Sequence, residues 1–297
     1  MSETSSTTPG STVPRRQLGR YLRDLRQQAG MTIVEIARLI ERGASTVQRL
    51  ETGTADRIRL RDVEAICRVV GADPTITEAL KGLAQQGNTK SWYHQYGDLI
   101  PVSFDVYMGL ESAASALASY QELVPGLLQI PSYARMLYRI GHLDESDSEI
   151  ARRVEMRIRR QILISRKTRP ATVDVILDES ALRRVVGDRR IMAAQLRHLA
   201  DMSTRPNITI RVLPHAAGIP LGELTGPFTV LDFATGPGGK PIEPAVVYVE
   251  GYRGAMYFEE AVDVHAYRAT FEALGRVALS PEASRDMLRK MAREYAA

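Results

Sequence analysis

The chain has 297 residues, of which 44% are hydrophobic and 25% are charged, and its net charge at pH 7 is +4. This length predicts two domains, and the apolar content is enough to build a core in each. The single cysteine, Cys67, excludes an intrachain disulfide, and no apolar run reaches the roughly 18 residues of a membrane span. We therefore expect a two-domain cytoplasmic protein that does not enter a membrane.

The N-terminal third carries most of the excess positive charge. Residues 1–14 are rich in serine and threonine and lack the apolar stretch of a signal peptide, which predicts a disordered tail. Residues 15–85 form the first predicted domain. Residues 15–86 hold 13 basic and 9 acidic side chains, whereas residues 87–297 hold 26 and 25. Small domains also vary in charge by chance, but a basic surplus of this kind favours a phosphate-containing partner.

Two short helices joined by a tight corner are predicted between residues 32 and 51. Thr32 is a good N-cap, and Glu35 three residues later completes a capping box, so a helix begins here. Apolar residues follow at helical spacing, at Ile33, Ile36, Ala37 and Ile40. The run Glu41-Arg42-Gly43 breaks this pattern, and Gly43 can adopt backbone angles closed to other residues.

The second helix is predicted from about residue 44 to residue 51, with Val47 and Leu50 facing the core. Its outer face carries short or polar residues, namely Ala44, Ser45, Gln48 and Arg49. Short residues at a helix N-terminus fit the major groove, where glutamine and arginine hydrogen-bond base edges. This is the helix-turn-helix pattern, which favours operator DNA as the ligand. A small helical domain that binds only protein is the alternative.

Residues 16–83 resemble the Xre and phage-repressor family of helix-turn-helix domains. The shared residues are Gly30-Met31-Thr32, Glu35, Ala37 and the run from Ser45 to Gly53. The resemblance implies a phage-repressor-like bundle of about five helices, in which Arg26 and Glu51 occupy positions that often form a buried ion pair. Glu41 stands where the corner usually carries glycine, so the turn is expected to differ in detail.

The same resemblance implies a set of DNA contacts. Residues on the outer face of the second helix are implied to contact the bases, while Thr32 is implied to contact a phosphate of the DNA backbone. A loop after that helix lies against the DNA backbone and minor groove in some relatives, and here it contains Arg57 and Arg59. The complete predicted set is Thr32, Ala44, Ser45, Thr46, Gln48, Arg49, Arg57 and Arg59.

Residues 86–91 are a polar connector, and residues 92–297 read as a mixed helical and stranded domain. Helices are expected over 110–114, 131–140, 147–166, 189–202, 260–274 and 281–295. Strands are expected over 117–120, 172–177, 208–213, 228–233, 245–249 and 255–258. Strands in sequence with flanking helices predict an α+β domain with a largely antiparallel sheet.

This second region resembles the C-terminal domain of a large actinobacterial group of Xre-type regulators, described as antitoxin-like and as a domain of unknown function. The residues that carry the resemblance are Tyr107–Glu111, Tyr120–Gln129, Tyr133–Arg135, Asp178–Leu182, Ile208–Pro214 and Gly226–Phe228. It implies a transcriptional regulator, often encoded near a small acidic partner protein. We expect this domain to supply homodimerisation, because one recognition helix reads too few bases for a selective site. We also expect it to receive a signal from a small protein or a small molecule.

Candidate catalytic and metal-binding groups are few. The chain has five histidines, which are His94, His142, His198, His215 and His265. They lack the spacing of an established metal motif, so we expect no metal and no other cofactor. Asp178 and Glu179 end a predicted strand, where catalytic carboxylates can sit, but the acidic pair more simply begins a helix. We expect no catalytic residue and no enzyme activity, with a DNA-targeted hydrolase as the alternative.

Arginines crowd one predicted helix of the second domain, at positions 152, 153, 157, 159 and 160. Such runs are usually a solvated face. The sharper hypothesis is that Arg153, Arg157 and Arg160 dock the small acidic partner, with electrostatic attraction raising the encounter rate. An antitoxin-like protein that sequesters its partner is the alternative function.

Overall fold

The computed structural model of the protein describes residues 12–55, 57–89, 91–96, 98–100, 102–235, 241–252 and 254–297. Residues 1–11, most of the predicted tail, lie outside the described residues. The chain divides into two compact units. The first comprises Met1–Gly97 and Asp105–Ala113, and the second comprises Asp98–Phe104 and Ala114–Ala297. Residues 105–113, expected in the second domain, thus group with the first unit.

Five helices form the body of the first unit, as predicted. They are α1 (Thr12–Gln28), α2 (Ile33–Leu39), α3 (Ala44–Glu51), α4 (Leu60–Val69) and α5 (Pro74–Gly87). A short 3-10 helix (Trp92–Tyr96) and α6 (Val102–Ala113) follow. Buried side chains from all five helices make one core, which includes Cys67 as expected.

The ends of this unit extend beyond the predicted limits. Helix α1 begins at Thr12, so residues 12–14 are helical rather than part of a tail. Val13 is buried there, and a proline in the first helical turn loses no hydrogen bond. Helix α5 continues to Gly87, and the Asn88 side chain hydrogen-bonds both the N–H (3.0 Å) and the carbonyl oxygen (2.6 Å) of Ile58. Residues 86–88 therefore belong to the bundle, not to a connector.

The second unit is built on a six-stranded sheet. Its strands are β1 (Ala114–Gln121), β2 (Thr172–Asp178), β3 (Ile208–Leu213), β4 (Phe228–Phe233), β5 (Val246–Gly251) and β6 (Gly254–Phe258). Its helices are α7 (Pro131–Gly141), α8 (Asp147–Arg160), α9 (Ile162–Ser165), α10 (Ser180–Arg183), α11 (Arg189–Met202), α12 (Ala261–Val277) and α13 (Pro281–Ala296). The α+β class is confirmed, although the predicted helix over 147–166 is interrupted at Gln161 and becomes α8 and α9.

The sheet is mixed: antiparallel pairs are in the majority, as expected, but the sheet is not purely antiparallel. The strand order is β3-β2-β1-β4-β5-β6, with β1–β2 and β2–β3 parallel and the other three pairs antiparallel. Helices α7 to α9 connect β1 to β2, and α10 and α11 connect β2 to β3. Such long helical crossovers bring a strand back in the same direction, whereas short turns reverse it.

Candidate nucleic-acid interface

Helix α2 begins at the predicted capping box. The Thr32 hydroxyl accepts a hydrogen bond from the Glu35 backbone N–H (3.2 Å), and the Glu35 carboxylate accepts one from the Thr32 N–H (2.7 Å). These hydrogen bonds stabilise the carboxylate and lower the pKa of Glu35. The start of the helix-turn-helix is therefore fixed by local interactions alone.

The corner between α2 and α3 is closed by Glu41, not by Gly43. Glu41 adopts φ 54°, in the left-handed region, whereas Gly43 has φ −72° and ψ 145°, which any residue can adopt. The Arg42 N–H donates to the Ala37 carbonyl oxygen (2.8 Å) and the Glu41 N–H to that of Arg38 (3.2 Å). This is the Schellman ending that usually employs glycine at the Glu41 position. The role assigned to Gly43 was wrong, because the left-handed residue must directly follow the helix cap.

The outer face of α3 is open as the sequence predicted. Val47 and Leu50 are buried in the core. Ala44, Ser45, Gln48 and Arg49 are exposed, while Thr46 is half-buried. Thr32, at the start of α2, is exposed as well.

Close packing against α1 sets the position of α3. A Cβ atom at Gly19 would stand only 2.5 Å from the Glu51 carbonyl oxygen and 2.7 Å from that of Leu50. Beside this crossing, the Glu51 carboxylate accepts hydrogen bonds from Arg26 Nε (2.6 Å) and from its terminal nitrogen (2.9 Å), which confirms the predicted ion pair. Sequence reasoning missed Gly19, because nothing local distinguishes a glycine at a helix crossing from any other helical glycine.

A basic cleft of about 240 Å³ opens beside α3. Its lining residues come from α3, the following loop and α4, together with Arg42 of the corner; they are Arg42, Thr46, Arg49, Leu50, Ala55, Arg57, Arg59 and Asp62. Arg42 donates to Asp62 from Nε (3.1 Å) and from a terminal nitrogen (2.9 Å), and this carboxylate raises the pKa of Arg42. Sequence reasoning did not identify Arg42 or Asp62, which lie 20 residues apart.

Three guanidinium groups line this cleft without a neutralising carboxylate in the part of the chain that the structure describes. Arg49, Arg57 and Arg59 have no carboxylate partner among the residues that the structure describes. Arg57 and Arg59 are exposed in the loop between α3 and α4. The cleft therefore holds a concentration of positive charge directly beside the polar face of α3, an arrangement suited to the phosphates of a nucleic-acid backbone.

Comparison with protein families matches both units. Residues 17–80 match a helix-turn-helix domain. Residues 104–290, more than half of the chain, match a domain of unknown function, DUF5753. The chain belongs to the DUF5753 family. Comparisons with curated proteins and with solved structures found no match. The helix-turn-helix domain is thereby confirmed, while membership of the Xre family, an actinobacterial source and an antitoxin-like role stay predictions.

The arginines of α8 in the DUF5753 region do not form the expected basic face. Arg153 is 9% exposed, and it donates to both oxygens of Glu145 (2.6 and 2.5 Å) and to the Leu99 carbonyl oxygen (2.7 Å). Arg160 is 6% exposed, with its guanidinium 5.2 Å from the Phe104 ring centre. Both side chains are therefore committed to packing within this unit.

Arg157 is likewise turned inward. Its Nε donates to the Tyr138 hydroxyl (2.7 Å), a terminal nitrogen donates to Gln129 Oε1 (2.9 Å), and the guanidinium stacks 4.5 Å from the Tyr138 ring centre. The planar guanidinium is suited to such hydrogen-bonded and stacked sites. The prediction that Arg153, Arg157 and Arg160 present an open docking face is therefore corrected.

The segment that follows Pro125 and Gly126 is part of the DUF5753 core. Leu127 and Leu128 are buried. The Gln195 side chain donates to the Leu128 carbonyl oxygen (2.7 Å) and accepts from the Ile130 N–H (2.8 Å). These bonds satisfy backbone groups that would otherwise be buried without partners.

The acidic pair at the end of β2 has a structural role that differs from the predicted one in detail. Asp178 accepts the Ser180 N–H (2.8 Å) and so begins α10. Glu179 accepts the His215 N–H (2.8 Å) and Arg183 Nε (2.6 Å), and makes no capping bond itself. Burial alone would raise the pKa of Glu179, but these hydrogen bonds outweigh it and lower that pKa. The carboxylate thus ties the ends of β2 and β3 together.

The part of the chain that the structure describes contains neither a metal-binding cluster nor a membrane-spanning helix. There, no three histidine, cysteine or acidic side chains are grouped so that they could hold a metal ion. None of the helices in those parts of the chain combines the length and apolar character needed to cross a bilayer.

Proposed function

We propose that this protein is a sequence-specific DNA-binding transcriptional regulator that acts in the cytoplasm without enzymatic activity. Helix α3 enters the major groove, where Ala44, Ser45, Gln48 and Arg49 meet base edges. The observation that carries the proposal is the set of guanidinium groups, Arg49, Arg57 and Arg59, that lie beside that exposed polar face without a carboxylate partner among the described residues. Their placement allows one duplex to contact the base-reading face and the basic cleft together.

The proposal gives each group in the interface a distinct task. Gln48 and Arg49 supply sequence discrimination, since bidentate contacts with a base are worth roughly 1–3 kcal/mol each. Arg57 and Arg59, with Thr32 and Thr46, hold the backbone, which adds affinity without sequence preference.

We further propose that the protein binds its operator as a homodimer. A single α3 offers only a few base contacts, and pairing across a two-fold axis doubles the site read. The DUF5753 region would receive a small protein or a small molecule as signal. Such a ligand changes DNA affinity only if it binds the DNA-competent and incompetent arrangements differently.

Fluorescence anisotropy with labelled promoter duplexes at several salt concentrations tests DNA binding. Replacing Gln48 and Arg49 by alanine should weaken operator binding about 30-fold or more and weaken binding to unrelated duplexes much less. Replacing Arg57 and Arg59 by glutamine should weaken binding to every sequence and reduce the slope of log K against log salt by roughly 1–2.

Arg68→Gln is the matched control, because this arginine of α4 has a 78% exposed side chain and does not line the cleft. It should leave both the affinity and the salt slope close to those of the wild type. Operator binding that survives both double substitutions unchanged would refute the proposal.

A further inference from the structure

The two edges of the sheet differ in how they are protected. At the β3 edge, the Leu279 N–H donates to the Val212 carbonyl oxygen (2.9 Å), and the Val212 N–H donates to the Ser284 hydroxyl (2.9 Å). These bonds occupy the backbone groups that a further strand would need. The opposite edge strand, β6, pairs with β5 alone among the described strands.

Within residues 254–258, β6 carries no charged side chain, proline or bulge that would prevent edge pairing. Natural edge strands are blocked by charged side chains, prolines or bulges. Residues 254–258 read Gly-Ala-Met-Tyr-Phe, with no charge and no proline, and their register with β5 is continuous. Exposed apolar side chains accompany this edge: Met256 is 54% exposed, Tyr252 in the β5–β6 turn is fully exposed, and Val262 at the start of α12 is 74% exposed.

We propose that β6 pairs antiparallel with β6 of a second copy of this chain, so that the sheet continues across a two-fold axis. The side chains of one copy of the strand complement those of the other copy in size. With Met256 on the axis, Gly254 lies opposite Phe258 of the other copy and Ala255 opposite its Tyr257. A small residue thus meets a large one at every pair beside the axis, and an aromatic ring covers the edge glycine.

Charge and symmetry also favour a second copy over an unrelated strand. Because residues 254–258 carry no charge, self-pairing brings no like charges together within the strand. An antiparallel pair of identical strands is isologous and closes after two copies, so it leaves no free edge for further growth. Roughly four to six backbone hydrogen bonds would form across the axis.

The proposed function includes a homodimer, and this interface describes how its two copies pair. The inference rests on the proposed function only for the biological role of the dimer. A two-fold dimer matches a two-fold operator. The dimer can be measured without DNA, so its failure is separate from a failure of DNA binding.

Sedimentation equilibrium of the full chain without DNA, from about 1 to 100 μM, tests the proposal. The wild type should reach twice the 32.9-kDa chain mass. Met256→Lys and Met256→Glu each place two like charges opposite each other on the axis, and each should weaken the dimer by about tenfold or more. An equimolar mixture of the two variants places lysine opposite glutamate and should restore dimerisation, which an unfolded variant could not do.

Leu143→Lys is the matched control, because it adds a charge at an 85% exposed leucine in the loop between α7 and α8, which is not part of β6. It should dimerise like the wild type. A wild type that stays monomeric over this range, Met256 variants that dimerise as the wild type does, or a mixture that remains monomeric would each overturn the interface. A wild-type dimer that fails to bind promoter DNA would refute the proposed function and leave this interface standing.

Discussion

Replacing Gly19 by alanine tests whether the crossing of α1 and α3 determines the stability of the helix-turn-helix unit. The added methyl would stand 2.5 Å from the Glu51 carbonyl oxygen and 2.7 Å from that of Leu50. Carbon and carbonyl oxygen normally remain about 3.3 Å apart, so α1 and α3 must separate by roughly 0.7 Å. Both oxygens belong to the backbone, so no side-chain rotation can relieve the overlap.

Two opposing effects set the magnitude. Overpacking of this kind costs about 1–3 kcal/mol, and alanine is favoured over glycine within a helix by about 1 kcal/mol. Because both overlapping oxygens belong to the backbone, the overpacking cost falls in the upper part of that range, about 2–3 kcal/mol, and the net expectation is a loss of about 1–2 kcal/mol. Gly82 in α5 is the matched control, since a Cβ there has no neighbour within 4 Å. Gly82→Ala should therefore stabilise the unit by about 0.5–1 kcal/mol.

Urea unfolding followed by tryptophan fluorescence gives the measurement. Trp92 is the only tryptophan in the chain and lies in the first unit, so its emission reports on that unit. With a slope of about 1–3 kcal/mol per molar urea, Gly19→Ala should lower the midpoint by roughly 0.5–1 M, and Gly82→Ala should raise it slightly. A Gly19→Ala midpoint equal to or above that of the wild type would refute the argument from close packing.

Two further predictions concern single side chains. Glu41→Gly should stabilise the first unit by about 1 kcal/mol relative to Glu41→Ala, because Glu41 sits at φ 54° and alanine keeps that strain; equal urea midpoints would contradict this. Glu145→Gln should destabilise the second unit at pH 7 by roughly 1–3 kcal/mol, because it leaves the buried Arg153 without its carboxylate. Since this ion pair lowers the pKa of Glu145 from its ordinary 4.5, the wild-type advantage should persist above that pH and shrink as pH falls below it, measured by circular dichroism in urea. A difference between wild type and Glu145→Gln that does not change with pH would contradict the ion-pair explanation.

Features that depend on residues close together in the chain could be predicted before the structure was known. The capping box at Thr32 and the apolar spacing of α2 and α3 are local, so the helix-turn-helix and the outward direction of Gln48 and Arg49 followed directly. Alternation and turn residues located the strands of the second unit equally well, and the predicted limits of α11, β3 and β4 agree with the observed ones. Each of these patterns is complete within one segment of the chain.

Features that depend on contacts between distant segments became visible only in the folded chain. The parallel direction of β1 to β3 follows from how the helical crossovers pack, which strand patterns do not encode. The arginines of α8 look like a solvated face until Glu145, Tyr138 and Leu99 are brought against them. The basic cleft likewise requires α3, its following loop and α4 to meet. Burial and pairing of a charged side chain are set by its neighbours in space, and some of them lie far away in the sequence, as Leu99 does from Arg153.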